Sequence, residues 1–122
     1  MGEVVGAGLI AHVPTIVLPE EIRRELNNGE DTTLVAGLHQ LREEVFENLD
    51  YDTVVVLDSH WATTVEFVVT AQERRKGLFT SEELPRGMTQ RPYDFLGDPE
   101  LAHLIASKAH DHGTWITAIS DD

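Results

Sequence analysis

The sequence predicts an α/β fold with a mostly parallel sheet. Two strand-like apolar runs, at residues 4–11 and 53–58, lie on either side of a helical pattern, and a second helical pattern at 98–113 precedes a short apolar run at 114–119. Strand, helix and strand in that order imply a right-handed parallel crossover. The two strands would then end at one edge of the sheet, and open α/β sheets bind ligands at that edge.

The amino-terminal elements are justified by local patterns. Residues 4–11 are β-branched at the start and interrupted by glycines, as in a buried strand. Residues 20–26 predict a short helix, and residues 27–31 predict a turn. Asp31 or Thr32 is a suitable N-cap for the next helix. Apolar residues then recur on one helical stripe, formed by Leu34, Leu38, Leu41, Val45 and Leu49.

The middle of the chain predicts one strand and one long loop. Residues 65–70 alternate in polarity, which indicates a third strand with a wetter face. Residues 71–97 contain several glycines and prolines, so we expect a loop with strand fragments only near Leu78 and Phe79. Long loops in small domains often act as lids or subunit contacts.

A second helix is expected near the end of the chain. Asp98 is a good N-cap, Pro99 suits the first helical position, and Gly113 suits the carboxyl-terminal cap. The expected apolar face consists of Leu101, Leu104, Ile105 and Ala109. Residues 114–119 predict the last strand.

Composition limits the function classes. A chain of 122 residues fits one domain. Lys and Arg number 9 against 22 Asp and Glu, a net charge of -13, so nucleic acid and anionic membranes are unfavourable partners. The chain has no cysteine, which excludes thiolate metal sites and iron–sulfur clusters. We found no signal peptide pattern and no apolar run long enough to span a membrane, and we therefore expect a soluble cytoplasmic protein.

His12 and His60 are the candidate metal ligands. Each lies just past the end of a predicted strand, so both imidazoles are expected at the same sheet edge. Imidazole suits iron, zinc and copper. Asp58 could orient an imidazole through its second nitrogen. A third ligand is needed, and the sequence does not obviously supply one.

Other polar groups favour ordinary structural roles. His39, His103, His110 and His112 lie on predicted helices, where exposed or dipole-paired positions explain them. The acidic pairs Glu82-Glu83 and Asp121-Asp122 are expected on the surface of so acidic a chain. A surface role is also favoured for the arginines near the long loop, although a substrate carboxylate could meet them: Arg74, Arg75, Arg86 and Arg91. The sequence contains no phosphate-binding glycine loop, nucleophile elbow or zinc-protease motif.

Four blocks of the chain resemble a known family. Residues 10–14, 52–61, 77–85 and 93–106 are similar, in order and spacing, to the amino-terminal part of class III (LigB-type) extradiol ring-cleavage dioxygenases. The likeness is greatest to the 3,4-dihydroxyphenylacetate (homoprotocatechuate) 2,3-dioxygenase branch. The blocks together cover nearly the whole chain.

The resemblance implies a fold and a metal centre. The fold is a three-layer α/β/α sandwich with a mostly parallel central sheet, and residues 1–122 would be the amino-terminal part, about the first half, of a single catalytic domain. In this family two histidines and one glutamate hold a non-haem Fe(II) that reacts with a catechol and O₂. His12 and His60 match the two histidine ligands. No residue here matches the family's ligand glutamate or its proton-transfer histidine.

The resemblance also implies that this chain alone is inactive. We expect it to form a homo-oligomer or to require a missing carboxyl-terminal half. Three alternatives remain open at this point: a 2-aminophenol-type ring-cleavage enzyme, a non-catalytic or truncated subunit of the same fold, and a zinc hydrolase with a His/His/carboxylate site.

Overall fold

The computed structural model describes residues 2–11, 13–59, 63, 65–79 and 91–121. Contacts divide the described chain into an amino-terminal unit that ends at Asp52 and a second unit that begins at Thr53. Within the described ranges, every helix is too short or too polar to cross a membrane.

The amino-terminal unit is helical. A 3-10 helix spans Pro14–Val17, helix α1 spans Glu20–Leu26, helix α2 spans Thr33–Glu44, and a second 3-10 helix spans Phe46–Asn48. Helix α1 confirms the helix predicted over residues 20–26. Leu18, which is 3% exposed, is the most buried described residue of this unit.

The turn after α1 confirms the prediction for residues 27–31. Asn28 has a φ of 54° and Gly29 a φ of 91°, both in the left-handed region. The amide of Gly29 donates to the carbonyl oxygen of Arg24 at 2.7 Å, which satisfies one of the free carbonyl groups at the helix end. The chain therefore reverses sharply before α2.

Helix α2 begins as predicted and ends early. The Thr32 hydroxyl accepts the amide of Leu34 at 3.2 Å, which identifies Thr32 as the N-cap. The helix ends at Glu44, so the last two residues of the predicted stripe, Val45 and Leu49, lie beyond α2 on either side of the second 3-10 helix. Leu38 and Leu41 are half-buried, whereas Leu34 is 37% exposed. Leu49 is half-buried as well, so Leu34 and Val45 are the exposed members of the stripe.

The two amino-proximal strand predictions are wrong for the described residues. Residues 4–11 and 53–58 belong to no helix or strand. Leu9 is 100% exposed and Leu57 is 95% exposed. Strand formation requires a neighbouring strand to accept and donate the backbone hydrogen bonds, and no described strand pairs with these runs. The predicted crossover between them is accordingly not seen.

A parallel pair of strands forms in the second unit instead. Strand β1 (Phe67–Thr70) pairs with strand β4 (Ile116–Ile119), with Phe67 opposite Ile116. Helix α3 (Pro99–Asp111) lies between them in sequence and contacts both strands. Ala71 and Ala102 are each 3% exposed and belong to the core of this unit. The strands predicted at 65–70 and 114–119 are confirmed with shorter bounds.

The segment predicted as a long loop contains a β-hairpin. Strands β2 (Arg74–Phe79) and β3 (Arg91–Leu96) are antiparallel, with Gly77 opposite Tyr93. The expectation of strand fragments near residues 78–79 is therefore corrected to two six-residue strands. The glycines and prolines misled the prediction, because Pro92 lies within an edge strand, where proline is tolerated.

Helix α3 has both predicted caps. The Asp98 carboxylate accepts the amide of Leu101 at 2.9 Å, and Pro99 occupies the first turn. Gly113 has a φ of 77°, and the amides of Gly113 and Thr114 donate back to the last turn at 2.9 Å each, which is a Schellman motif. Leu104, however, is 52% exposed, so the predicted apolar face is corrected in one position.

The described chain is thus a mixed α and β structure with a small parallel sheet and an antiparallel hairpin. This agrees with the α/β class that the sequence predicts.

Candidate metal site

Both predicted metal ligands lie outside the described residues. The described ranges stop at Ala11 and resume at Val13, which leaves out His12. They also stop at Ser59, immediately before His60. The convergence of the His12 and His60 imidazoles therefore stays a prediction. Across the described ranges, no group of three His, Asp or Glu side chains lies close enough together to hold a metal ion.

The chain that follows His12 is fixed by an arginine. Arg23 binds both carboxylate oxygens of Asp31, at 2.7 and 2.8 Å, and its third nitrogen donates to the Leu18 carbonyl at 2.6 Å. The pair is largely shielded, with side-chain exposures of 11% and 24%. One guanidinium thus ties the end of the 3-10 helix Pro14–Val17 to the start of α2.

The same contacts set the charge of Asp31. The hydrogen bond from Arg23, together with the Thr32 amide, lowers the pKa of the Asp31 carboxyl to about 2, although partial desolvation opposes the shift. Asp31 is therefore ionised whenever the protein is folded near neutral pH. Its role is structural, since it lies in the turn between α1 and α2.

The run of residues 53–58, which leads to His60, is anchored by a hydrogen bond at its first residue, Thr53. The Thr53 hydroxyl donates to Asp98 Oδ2 at 3.4 Å, while Asp98 Oδ1 caps α3. Asp98 thereby links the residue that opens the apolar run 53–58 to the amino terminus of α3. Further along, the Thr63 hydroxyl donates to the Glu66 carbonyl just before β1.

The carboxyl ends of β1 and β4 border an open cleft of about 420 Å³. Gln72 follows β1, Ser120 follows β4, and His103 lines the cleft from α3. Gln72 Nε2 donates to the Asp121 carbonyl at 3.1 Å, but its buried Oε1 has no hydrogen-bond donor among the described groups. Gln72 therefore carries a buried, unpaired acceptor near the carboxyl ends of the two parallel strands, the edge at which α/β folds bind ligands.

Gln72 was missed by the sequence analysis. Its position two residues past the carboxyl end of a parallel strand was the available signal, and the prediction of a loop from residue 71 obscured it. Arg74 also borders the cleft, but Asp94 binds it at 2.6 and 2.7 Å. That hydrogen-bonded pair raises the pKa of the Arg74 guanidinium above its usual value.

The other histidines occupy the ordinary positions that were expected. His39 is exposed on α2 and His103 is exposed on α3. The His110 ring meets the Trp115 ring edge-on, with 6.2 Å between centroids. His112 is the C-cap residue of α3, immediately after Asp111.

Comparisons with known proteins agree on one family. The model of the catalytic LigB subunit of aromatic ring-opening dioxygenase matches residues 6–121. The chain is also 31% identical, over 109 residues, to a 3,4-dihydroxyphenylacetate 2,3-dioxygenase of Escherichia coli. That alignment covers 89% of this chain and 38% of the relative, so the chain spans well under half of the relative's length.

No solved structure matches the chain. The family assignment therefore depends on the sequence match, which extends over nearly all the described elements of both units. The chain belongs to the LigB family of aromatic ring-opening dioxygenases.

Proposed function

We propose that this chain contributes two of the ligands, His12 and His60, to a non-haem Fe(II) centre that cleaves a catechol outside its two hydroxyl groups. The observation that carries the proposal is the family match over residues 6–121, which includes both histidines. The relative's substrate, 3,4-dihydroxyphenylacetate, supports a catechol with an acidic side chain.

The donor set fits iron in part. Two neutral imidazoles suit Fe(II), and a facial site also needs one carboxylate. The residues of this chain do not supply that carboxylate at a matching position, so the glutamate would come from outside it. When bound, the iron would hold catechol and O₂ together and pass electrons between them.

The chain's own residues have positioning roles in this proposal. Arg23 and Asp31 fix the segment after His12, and Thr53 and Asp98 anchor the run that leads to His60. Metal ligands must be held within a fraction of an ångström, and rigid supporting contacts achieve this. Asp58, two residues before His60, has the type and spacing to orient an imidazole.

The proposed fold is the three-layer α/β/α sandwich of a single catalytic domain. The exposed apolar runs support it, because Val56 is 77% exposed and Leu57 is 95% exposed. A completed sheet would bury such residues on both faces. We propose a cytoplasmic enzyme that works as an oligomer or together with the rest of the domain.

Anaerobic Fe(II) titration tests the metal site. The longest form of the protein that its gene encodes is compared with its His12→Ala and His60→Ala variants. We expect one iron per chain, bound more than about tenfold more weakly in each variant, since loss of even an outer-shell partner costs that much. His39→Ala, on the exposed face of α2, is the matched control. Equal binding by all four proteins would exclude the two histidines as ligands.

Oxygen uptake tests the reaction. The iron-loaded long form should consume one O₂ per catechol and form a yellow ring-opened semialdehyde. Replacement of Fe(II) by Zn(II) should abolish this uptake. Ester or amide hydrolysis by the zinc form without oxygen uptake by the iron form would favour a hydrolase instead.

A further inference from the structure

We propose that the β2–β3 hairpin is a docking surface for a second copy of this chain. The surface is one face of the hairpin, here called the aromatic face. Side chains alternate between the two faces of a strand pair, so this face carries every second residue. It consists of Arg75, Gly77 and Phe79 on β2 and Arg91, Tyr93 and Phe95 on β3.

The aromatic face is partly exposed, with Tyr93 half-buried. The Tyr93 and Phe95 rings stack with 6.2 Å between centroids and 14° between planes. Gly77 lies opposite Tyr93, and a Cβ at Gly77 would come within 2.7 Å of the Tyr93 hydroxyl, so the ring lies across the glycine. Phe79 is 49% exposed and Phe95 is 67% exposed. An isolated two-stranded hairpin is only marginally stable in water, so a partner that buries this face would stabilise it.

Docking through the strand edges is unfavourable. Pro92 has no amide hydrogen, so β3 lacks one donor. Arg74, Arg75 and Lys76 are consecutive on β2, and cations on an edge oppose pairing with another copy of the same strand. The face, and not the edge, is therefore the available contact.

The hairpin concentrates positive charge in an acidic protein. Its two strands hold four of the chain's 9 basic residues and a single acidic residue, Asp94. Asp94 is on the opposite face, where Arg74 binds it at 2.6 Å and Lys76 lies 3.8 Å away. Arg75 has no ion pair or hydrogen bond with the described residues. A cationic and aromatic face remains, and it fits an acidic partner.

The chain itself provides such a partner. An exposed acidic segment begins at the carboxyl end of α2 and continues past the 3-10 helix after it. Its members are Glu43, Glu44, Glu47, Asp50 and Asp52. We assign this acidic segment as the occupant of the aromatic face in a second copy. Two aromatic faces would repel each other through Arg75, so the expected contact joins the hairpin of one copy to the acidic segment of the other. One hairpin face is small beside the roughly 800 Å² per partner of a stable interface, so we expect reversible dimerisation.

Sedimentation velocity over a range of concentrations tests the surface. The chain should show a concentration-dependent dimer, and Arg75→Glu should weaken it by about tenfold or more. Lys108→Glu makes the same charge change on exposed α3 and should leave the dimer nearly unchanged. A monomer at every concentration, or equal effects of the two variants, would overturn the proposal.

A charge swap tests the occupant. Glu43→Arg should weaken the dimer, and Glu43→Arg combined with Arg75→Glu should restore part of the lost affinity. Because Arg75 and Glu43 are both exposed, both variants should keep the wild-type circular dichroism spectrum. Failure of the double variant to recover any affinity would reject the acidic segment as the occupant.

Cross-linking gives a result that does not depend on charge reversal. Arg75→Lys keeps the charge and introduces an amine that a carbodiimide can couple to a carboxylate. In a mixture of isotopically labelled and unlabelled chains, this amine should couple to the acidic segment of the other copy. Lys108 is the internal control. Coupling within one copy alone, or equal intermolecular coupling of Lys108, would contradict the proposal.

Discussion

Arg23 and Asp31 form a bidentate ion pair, with nitrogen–oxygen distances of 2.7 and 2.8 Å. Eight positions separate them in sequence, so the pair closes the loop that carries the turn after α1. Because Arg23 also binds the Leu18 carbonyl, the pair connects the segment after His12 to the start of α2. It is the best-shielded ion pair among the described residues.

Replacement of Asp31 should make stability depend less on pH. The Asp31 pKa is lowered from 3.8 to about 2 in the folded chain. Its contribution is therefore present above pH 3.8 and is lost as the pH falls to about 2. We expect Asp31→Asn to have a lower urea midpoint than wild type at pH 7. The difference in urea midpoint between the two proteins should shrink as the pH falls from 3.8 to about 2.

The control for this measurement is Asp111→Asn. Asp111 pairs with Lys108 at 3.2 Å, but both side chains are more than half exposed. Exposed pairs contribute little to stability, so the urea midpoint should hardly change. An Asp31→Asn midpoint as close to wild type as that of the control would show that the ion pair is not stabilising.

Gly97→Ala should destabilise the hairpin. A Cβ at Gly97 would overlap the Gln72 carbonyl oxygen, and the Gly97 amide already donates to the Glu73 carbonyl at 2.9 Å. A backbone obstacle cannot move as a side chain can, so we expect a loss of about 1–3 kcal/mol in the free energy of unfolding. Urea denaturation measures it.

Gly37→Ala is the matched control on α2. A Cβ there would meet no atom within 4 Å, and the residue is helical. Alanine should raise the free energy of unfolding by about 0.5–1 kcal/mol. If Gly97→Ala were as stable as Gly37→Ala, the close approach of residues 72 and 97 would be refuted.

Asp98→Ala should weaken helix α3 and release Thr53 together. Loss of the N-cap costs about 1 kcal/mol. Asp98→Asn keeps a capping oxygen and should cost less. Hydrogen exchange should show faster exchange of the Leu101 amide in Asp98→Ala than in Asp98→Asn. Equal rates in the two variants would show that the cap does not protect that amide.

Ring cleavage by the 122-residue chain should be negligible. The proposed centre needs a carboxylate ligand that has no matching position here, and two imidazoles alone hold iron weakly. Oxygen uptake with 3,4-dihydroxyphenylacetate and added Fe(II) measures the rate. Full catechol turnover by this chain would contradict the proposal that its metal site is incomplete.

Local patterns predicted the helices well. The bounds of α1 agreed residue for residue, and the caps Thr32, Asp98 and Gly113 were all confirmed. A helix satisfies its hydrogen bonds within a few residues, and its caps use the nearest side chains. The sequence alone therefore determined these elements, the acidic charge and the family match.

Tertiary structure decided which of the strand-like runs form strands and how those strands pair. The hairpin pairs Arg74 with Leu96 across the chain, and the parallel sheet pairs Phe67 with Ile116. The runs at 4–11 and 53–58 have the composition of strands but lack paired neighbours in the described part. A strand exists only through its partner's backbone, so composition can nominate a strand, but only the assembled chain can form it.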